Sequence, residues 1–158
     1  MADIPVTPTV TSEFSLYQRQ ASDRDRLAGE VRPANKAAAF DPLAAAGVTT
    51  VVVLFDGSGD SGQIDSIDGY AGGIAAELPA VDVEIATPAW DGSGIERGTC
   101  PLRVAIEALA YDFLEETHGG WEDNEGAYGE FTFDVAHRTI TLAYHERVLT
   151  SGYFEHQF

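Results

Sequence analysis

The chain has 158 residues and carries 26 Asp and Glu against 9 Lys and Arg, a formal net charge of −17. This charge argues against direct binding to nucleic acid or to an anionic membrane, because both are negatively charged themselves. A single cysteine excludes an internal disulfide framework, and no apolar run is long enough to span a bilayer. We therefore expect a cytoplasmic globular protein whose partners are basic surfaces or cations.

The charges are unevenly distributed along the chain. Residues 37–96 contain no Lys or Arg, and neither do residues 104–137, although both stretches are rich in Asp and Glu. Residues 1–36 hold most of the basic side chains and are close to neutral. We expect most carboxylates of the folded body to lack a basic partner within the chain. Salt adaptation is an alternative explanation for this acidity.

Composition divides the chain into three parts. Residues 1–12 alternate Thr, Val and Pro, which predicts a flexible tail. Residues 13–33 are typical of a polar helix that Pro33 interrupts. Residues 34–158 carry the apolar patterns of a single acidic α+β domain.

That domain begins with a second helix, Ala34 to Ala46, in which Pro42 predicts a kink and Gly47 predicts the end. The β-branched run Val48 to Phe55 predicts a central strand that is buried on both faces. We expect short strands over Gln63–Ile67 and Val81–Thr87, with residues 69–80 small and flexible between them.

The C-terminal half gives the clearest patterns. Apolar residues recur at helical spacing over Pro101 to Thr117, which predicts a helix with one buried face. Strict alternation over Tyr128 to Tyr144 predicts a β-hairpin whose polar face carries Glu130, Thr132 and Asp134. The expected fold class is α+β: a small, mostly antiparallel sheet packed on one face by helices, with a C-terminal hairpin.

The loop Asp56–Gly62 places acids, serines and glycines directly after the predicted central strand. Asp56, Ser58 and Asp60 have the spacing of the first three oxygen ligands of a calcium loop, so Ca²⁺ or Mg²⁺ is a possible cofactor. The later positions of that loop do not match, which excludes an EF-hand. Asp56 and Asp60 are equally candidates for a structural turn or for a partner-binding loop.

A second acidic loop joins the predicted helix to the predicted hairpin. It combines the carboxylates Glu122, Asp123 and Glu125 with the aromatic residues Trp121 and Tyr128. Aromatic rings among carboxylates are suited to receive an arginine by stacking and ion pairing. The alternative is that Trp121 caps the core and that the rest is a polar turn.

Catalysis has little support in the sequence. The four histidines are scattered without metal-ligand spacing, and no nucleophile motif or phosphate-binding loop is present. Cys100 lies just before the predicted helix, where the helix dipole favours a thiolate, but a lone cysteine is more often a core residue.

Three segments together resemble an uncharacterised acidic domain family that is associated with proteobacterial plasmids and phages. They are VVLFDGSGDSGQI at 52–64 with its preceding valine, YDFLEETHGGWE at 111–122 and GAYGEFTFDV at 126–135. The similarity covers about residues 34–158. It implies no specific activity, but it implies a context in which small acidic proteins occupy nucleic-acid-binding sites of host proteins.

These observations predict a non-enzymatic protein that engages a basic protein surface, most sharply as a DNA mimic of the anti-CRISPR or anti-restriction type. The expected partner is a nucleic-acid-binding effector or nuclease, with no direct contact to nucleic acid or membrane. The expected binding residues are Trp121, Glu122, Asp123, Glu125, Tyr128, Glu130, Asp134, Asp56 and Asp60. The alternative is a divalent-cation-binding domain at Asp56, Ser58 and Asp60, with a metal-dependent hydrolase as its extension.

Overall fold

The computed structural model describes residues 10–158, with side chains from Glu13 onward. In chain order its elements are α1 (Val10–Ala45), β1 (Thr50–Ser58), β2 (Ser61–Ala71), β3 (Ile74–Ala76), β4 (Asp82–Pro88), β5 (Ile95–Pro101), α2 (Leu102–His118), β6 (Ala127–Asp134) and β7 (Thr139–Glu146). The tail predicted for residues 1–12 lies outside the described residues, except that its last three residues begin α1.

Two antiparallel sheets organise the fold. The larger sheet has five strands in the order β3-β2-β1-β6-β7, and β4 and β5 form a separate pair. Every strand pair is antiparallel, and β6 returns beside β1 after the chain has crossed from β3 through β4, β5 and α2. The α+β class is thereby confirmed.

The core lies between the five-stranded sheet and the two helices. From the sheet it takes the aromatic side chains Phe55, Phe131 and Phe133, and from the helices it takes residues such as Phe40 and Leu114. The β4–β5 pair packs on the helices, mainly along α1. The helices thus cover one face of the sheet, as the sequence predicted, and leave the opposite face open.

The N-terminal region is one helix of 36 residues that contains Pro33 and Pro42, so the prediction of two helices separated at Pro33 was wrong. A proline removes one helical hydrogen bond, but contacts on both sides of Pro33 hold the helix in line. Arg32 pairs with Asp112 of α2 at 2.6 Å, and Asn35 hydrogen bonds to both backbone groups of Ala86 in β4.

α1 ends as predicted. Gly47 has a φ of 77° and follows the last helical turn. The N–H of Val48 donates to the carbonyl of Leu43, and the N–H of Gly47 donates to the carbonyl of Ala44, which is the Schellman pattern. No helix in the described part of the chain is long and apolar enough to cross a membrane.

β1 is the central strand, but it is buried on one face only. Val51, Val53 and Phe55 point into the core, whereas Leu54 on the other face is 40% exposed. The expectation of burial on both faces was wrong because helices cover only one side of the sheet. A continuous β-branched run therefore indicates a central strand, but it does not indicate whether the second face of that strand is covered.

The middle of the chain is more regular than the sequence indicated. β2 extends over eleven residues and β3 lies within the segment predicted to be flexible. β5 was not predicted, because almost all of its residues are exposed and show no alternation. β4, α2 and the β6–β7 hairpin agree with their predictions to within a few residues.

Trp121 joins the sheet to the loop that follows α2. Its ring packs edge-on against Phe55 with the ring centroids 5.5 Å apart, and the residue is only 7% exposed. The same ring lies directly on the backbone of Gly57 in β1 and Gly62 in β2. The two glycines are therefore required because any side chain there would occupy the position of the indole.

Replacing Gly57 with alanine tests this packing. The new Cβ would lie 2.6 Å from Cζ3 of Trp121 and 3.1 Å from Cα of Glu122, so either the indole or the backbone must move. We expect Gly57→Ala to lower the free energy of unfolding by about 1–3 kcal/mol, the usual cost of overpacking.

Gly98→Ala in β5 is the matched control, because a Cβ there meets no atom within 4 Å. Urea unfolding of both variants gives the comparison. Equal stability of the two variants would contradict the role assigned to Trp121.

Candidate functional site

The loop after β1 is a tight hairpin turn. Ser58 pairs with Ser61, and the two residues between them, Gly59 and Asp60, have φ values of 58° and 66°. Positive φ at both central positions is the type I′ geometry that suits the twist of two antiparallel strands. Asp56 to Gly62 is therefore first of all a structural turn, and it projects the carboxylate of Asp60 from its tip.

The second acidic loop is bonded to this turn through the backbone. The N–H of Gly59 donates to the carbonyl of Asn124, and the N–H of Asp60 donates to the carbonyl of Glu122, each at 3.1 Å. Together with the packing of Trp121, these bonds bring two segments that are distant in sequence to one end of the sheet. Asp60, Glu122 and Asp123 consequently lie side by side.

An open groove of about 800 Å³ runs between this pair of loops and α2. We call it the acidic groove. Its polar lining includes the carboxylates of Asp60, Asp112, Glu115 and Glu122, and no Lys, Arg or His lines it. The remaining lining residues are Ser61, Gly62, Ala108, Tyr111 and Trp121.

The electrostatics of the groove show that its charge is only partly neutralised by the chain. Asp112 pairs with Arg32, but Asp60, Glu115 and Glu122 form no ion pair with any described residue. Desolvation and the neighbouring carboxylates of Glu122 and Asp60 raise the pKa of Asp123. One oxygen of Glu122, Oε2, is buried and has no hydrogen-bond partner in the described part of the chain.

Asp56 and Tyr128, two of the predicted partner-binding residues, are engaged inside the chain by Arg147. The guanidinium lies 3.0 Å from Asp56 Oδ1 and 4.7 Å from the centre of the Tyr128 ring. It also donates to the backbone carbonyls of Gly57 and Ala127. The arginine that Tyr128 receives therefore comes from this chain, and its carboxylate partner is Asp56 rather than Glu122, Asp123 or Glu125.

The other predicted residues of the hairpin lie on the open face of the sheet. Glu130 stands opposite Leu54 across β1, and Asp134 stands opposite Thr50. Asp134 accepts hydrogen bonds from the backbone and the ring of His137, and these bonds lower its pKa. Glu130 forms no ion pair with a described residue, so the open face carries uncompensated charge of its own.

The remaining predictions have mixed outcomes. Trp121 forms part of the groove wall but is mostly buried, which fits the alternative of a core cap better than that of an aromatic anchor. Glu125 and Ser58 are exposed outside the groove. Within residues 10–158 no group of three or more His, Cys, Asp or Glu has the arrangement needed to hold a metal ion.

Cys100 does not have the properties of an activated nucleophile. It lies in β5, and burial together with the charge of Asp82 raises the pKa of its thiol. This is opposite to the lowering that the dipole of α2 would produce. The thiol is therefore mainly protonated at neutral pH.

Sequence reasoning missed Asp112, Glu115 and Tyr111 as groove residues. The helical pattern placed Asp112 and Glu115 away from the core, which is correct. It contained no signal that the β1–β2 turn would face them, because that contact depends on the packing of Trp121.

The fold and the groove define a small α+β domain with an uncompensated acidic cleft at one end of an antiparallel sheet. Residues 31–158 match the model of a family described as a family of unknown function, DUF6878, and the chain belongs to this family. No curated protein and no solved structure matches the chain. The match begins inside α1, which the structure shows as one continuous helix.

Asp123 and Asp134 provide a pH test of the local electrostatics. The folded state raises the pKa of Asp123, so it holds that proton more tightly than the unfolded chain, and stability falls as the pH rises above about 3.9. For Asp134 the sign is reversed: the folded state lowers the pKa, and stability is lost as the pH falls towards it.

We therefore expect Asp123→Asn to melt at a higher temperature than the wild type at neutral pH, with the difference disappearing under acidic conditions. Asp134→Asn should melt at a lower temperature at neutral pH. Thermal melting of the three proteins across the acidic range measures both effects. Shifts of the same sign in both variants would contradict the assigned environments.

Proposed function

We propose that this protein is a non-enzymatic binding protein whose acidic groove engages a basic surface of a partner protein. The observation that carries the proposal is the groove itself, in which Asp60, Glu115 and Glu122 line one cleft and form no ion pair with a described residue. Carboxylates gathered in one cleft favour an incoming positive charge, because their separate attractions to the cation add together.

A basic side chain fits this site better than a free small molecule does. The groove is open to solvent and four carboxylates line it, whereas small-molecule pockets are mostly enclosed. An arginine presents a planar fork of donors that matches paired carboxylates, and lysine presents a compact charge. Tyr111 in the α2 wall and the edge of Trp121 in the loop wall offer apolar surface for the stem of either side chain.

A nucleic-acid-handling protein is the partner class that we favour. Its binding surface is basic and is built to receive rows of negative charge. The open face of the sheet carries further acidic residues, Glu130 and Asp68, so acidic surface is not confined to the groove. The mobile-element context implied by the family resemblance supports inhibition by mimicry, as in anti-CRISPR or anti-restriction proteins.

The cation-binding alternative is less favoured by the contacts around Asp56. The carboxylate of Asp56 is held by Arg147, so a cation bound by Asp56, Ser58 and Asp60 would have to displace a guanidinium that also bonds two backbone carbonyls. If Ca²⁺ or Mg²⁺ bound at a hundred times its dissociation constant, it would stabilise the fold by about 2.7 kcal/mol.

Charge reversal at the groove tests the proposal. Asp60, Glu115 and Asp123 are exposed, so replacing all three with lysine should leave the core intact. The control carries the same change in net charge at Asp25, Glu77 and Glu96, which are exposed elsewhere. Tagged wild type and both variants are used to capture proteins from host lysate, and bound proteins are quantified by mass spectrometry.

We expect the wild type and the control to retain a nucleic-acid-binding protein that added DNA displaces. The groove variant should retain at least about tenfold less, which corresponds to about 1.4 kcal/mol. Equal loss in both variants would show that only net charge matters and would contradict the groove. A melting temperature that rises with Ca²⁺ or Mg²⁺ and falls with EDTA would favour the cation alternative.

A further inference from the structure

The strand β7 forms an unpaired edge of the five-stranded sheet. It pairs with β6 over eight residues, from Thr139 to Glu146, without a register shift. Its other side has no strand partner among residues 10–158, and no backbone hydrogen bond joins it to residues 148–158. A straight row of backbone donors and acceptors is therefore available along one side of the molecule.

The two edges of this sheet differ in how they are protected. At the opposite edge β3 has only three residues, and the uncovered part of β2 carries a register irregularity together with Asp65 and Asp68. Such short strands, bulges and charges prevent pairing with another chain. β7 has none of these features: it contains no Pro or Lys, and its only formal charge is Glu146 at its end.

The chain around β7 is poor in acidic residues. Residues 136–154 carry a single acid, Glu146, in a chain whose net charge is −17, and their two arginines, Arg138 and Arg147, pair with Asp41 and Asp56. Two copies of such a chain repel each other over most of their surface. They approach at least electrostatic cost along this edge.

We propose that β7 pairs antiparallel with β7 of a second copy, so that the two five-stranded sheets become one continuous sheet around a two-fold axis. A two-fold axis perpendicular to the sheet pairs each residue with one on the same face, so the paired residue numbers have an even sum. Centring the axis on Leu142 uses the whole strand. It sets Ile140 opposite Tyr144 of the second copy on one face, which is a favourable cross-strand pair.

The segment that follows β7 in the chain carries exposed apolar side chains. Val148, Leu149, Tyr153 and Phe154 are each more than 70% exposed, a state that is costly for large apolar side chains in a monomer. Edge hydrogen bonds set the register of a strand pair, but a stable dimer also needs apolar area. We assign that area to these side chains.

The proposed dimer does not depend on the acidic groove. The effect of salt concentration distinguishes dimerisation from partner binding at the groove. Binding of a basic partner to the groove weakens as salt screens the attraction. Dimerisation of a highly acidic chain strengthens with salt, because the repulsion between copies is screened. Failure of either proposal therefore leaves the other unaffected.

The test uses the exposed residues Thr141 and Ala143, which stand opposite each other across the proposed axis. Thr141→Lys with Ala143→Lys places lysines against lysines, whereas Thr141→Glu with Ala143→Lys places opposite charges at both positions. Thr87→Lys with Thr99→Lys, on exposed positions of the β4–β5 pair, is the control for added charge. Molar mass is measured by light scattering after size exclusion, with circular dichroism to confirm folding.

We expect the wild type and the control to have twice the 16.9 kDa mass of one chain. The double-lysine variant should dissociate at least about tenfold more readily, and the Glu–Lys variant should recover the dimer. A monomeric wild type at high protein and salt concentration, or a dimer that survives the double lysine, would overturn the proposal. Hydrogen exchange reports on the β7 amides that do not donate to β6. If these outward-facing amides are protected in a monomer, the edge is covered by residues 148–158 of the same chain instead.

Discussion

The packing of one indole ring on two glycines determines where the acidic groove forms. Trp121 lies against Gly57 and Gly62 and contacts Phe55 in the core. Without side chains at those two positions, the loop after α2 approaches the β1–β2 hairpin closely enough for backbone hydrogen bonds. The ring thus converts two acidic loops into a single wall of a cleft, with α2 as the other wall.

Arginine is scarce in this chain, and its few side chains are used as links between elements. Arg32 ties α1 to α2 through Asp112 and Glu116, and Arg138 ties the β6–β7 turn to Asp41 of α1. Arg147 holds the end of β7 against Asp56 and two carbonyls. Because these arginines serve the fold, Asp60, Glu115 and Glu122 in the groove are left without an ion pair to any described residue.

The elements that could be predicted from the sequence are those that depend on residues close together in the chain. The helical spacing over residues 101–117 and the alternation over residues 128–144 each depend on neighbours along the chain, and both were found where expected. Gly47 was likewise recognisable because a helix end needs a residue at positive φ.

Features that depend on distant contacts were not predictable in the same way. Pro33 is accommodated in α1 because Arg32 and Asn35 are held by α2 and β4. Arg147 and Asp56 are 91 residues apart in the chain, so their ion pair was not visible in the sequence. The loop Asp56–Gly62 therefore has fewer unpaired carboxylates in the structure than the sequence suggested. Glu115 joined the site only because Trp121 brings the hairpin turn to α2.

The central claim is that uncompensated carboxylates gathered by Trp121 form a local binding site, rather than a uniformly acidic surface. Its most direct test is an NMR titration of the labelled protein with a short arginine-rich peptide, read as backbone chemical shift changes. The account predicts saturable changes concentrated in residues 58–62, 111–116 and 120–125, which disappear at high salt. Small changes distributed over acidic residues throughout the chain would contradict it.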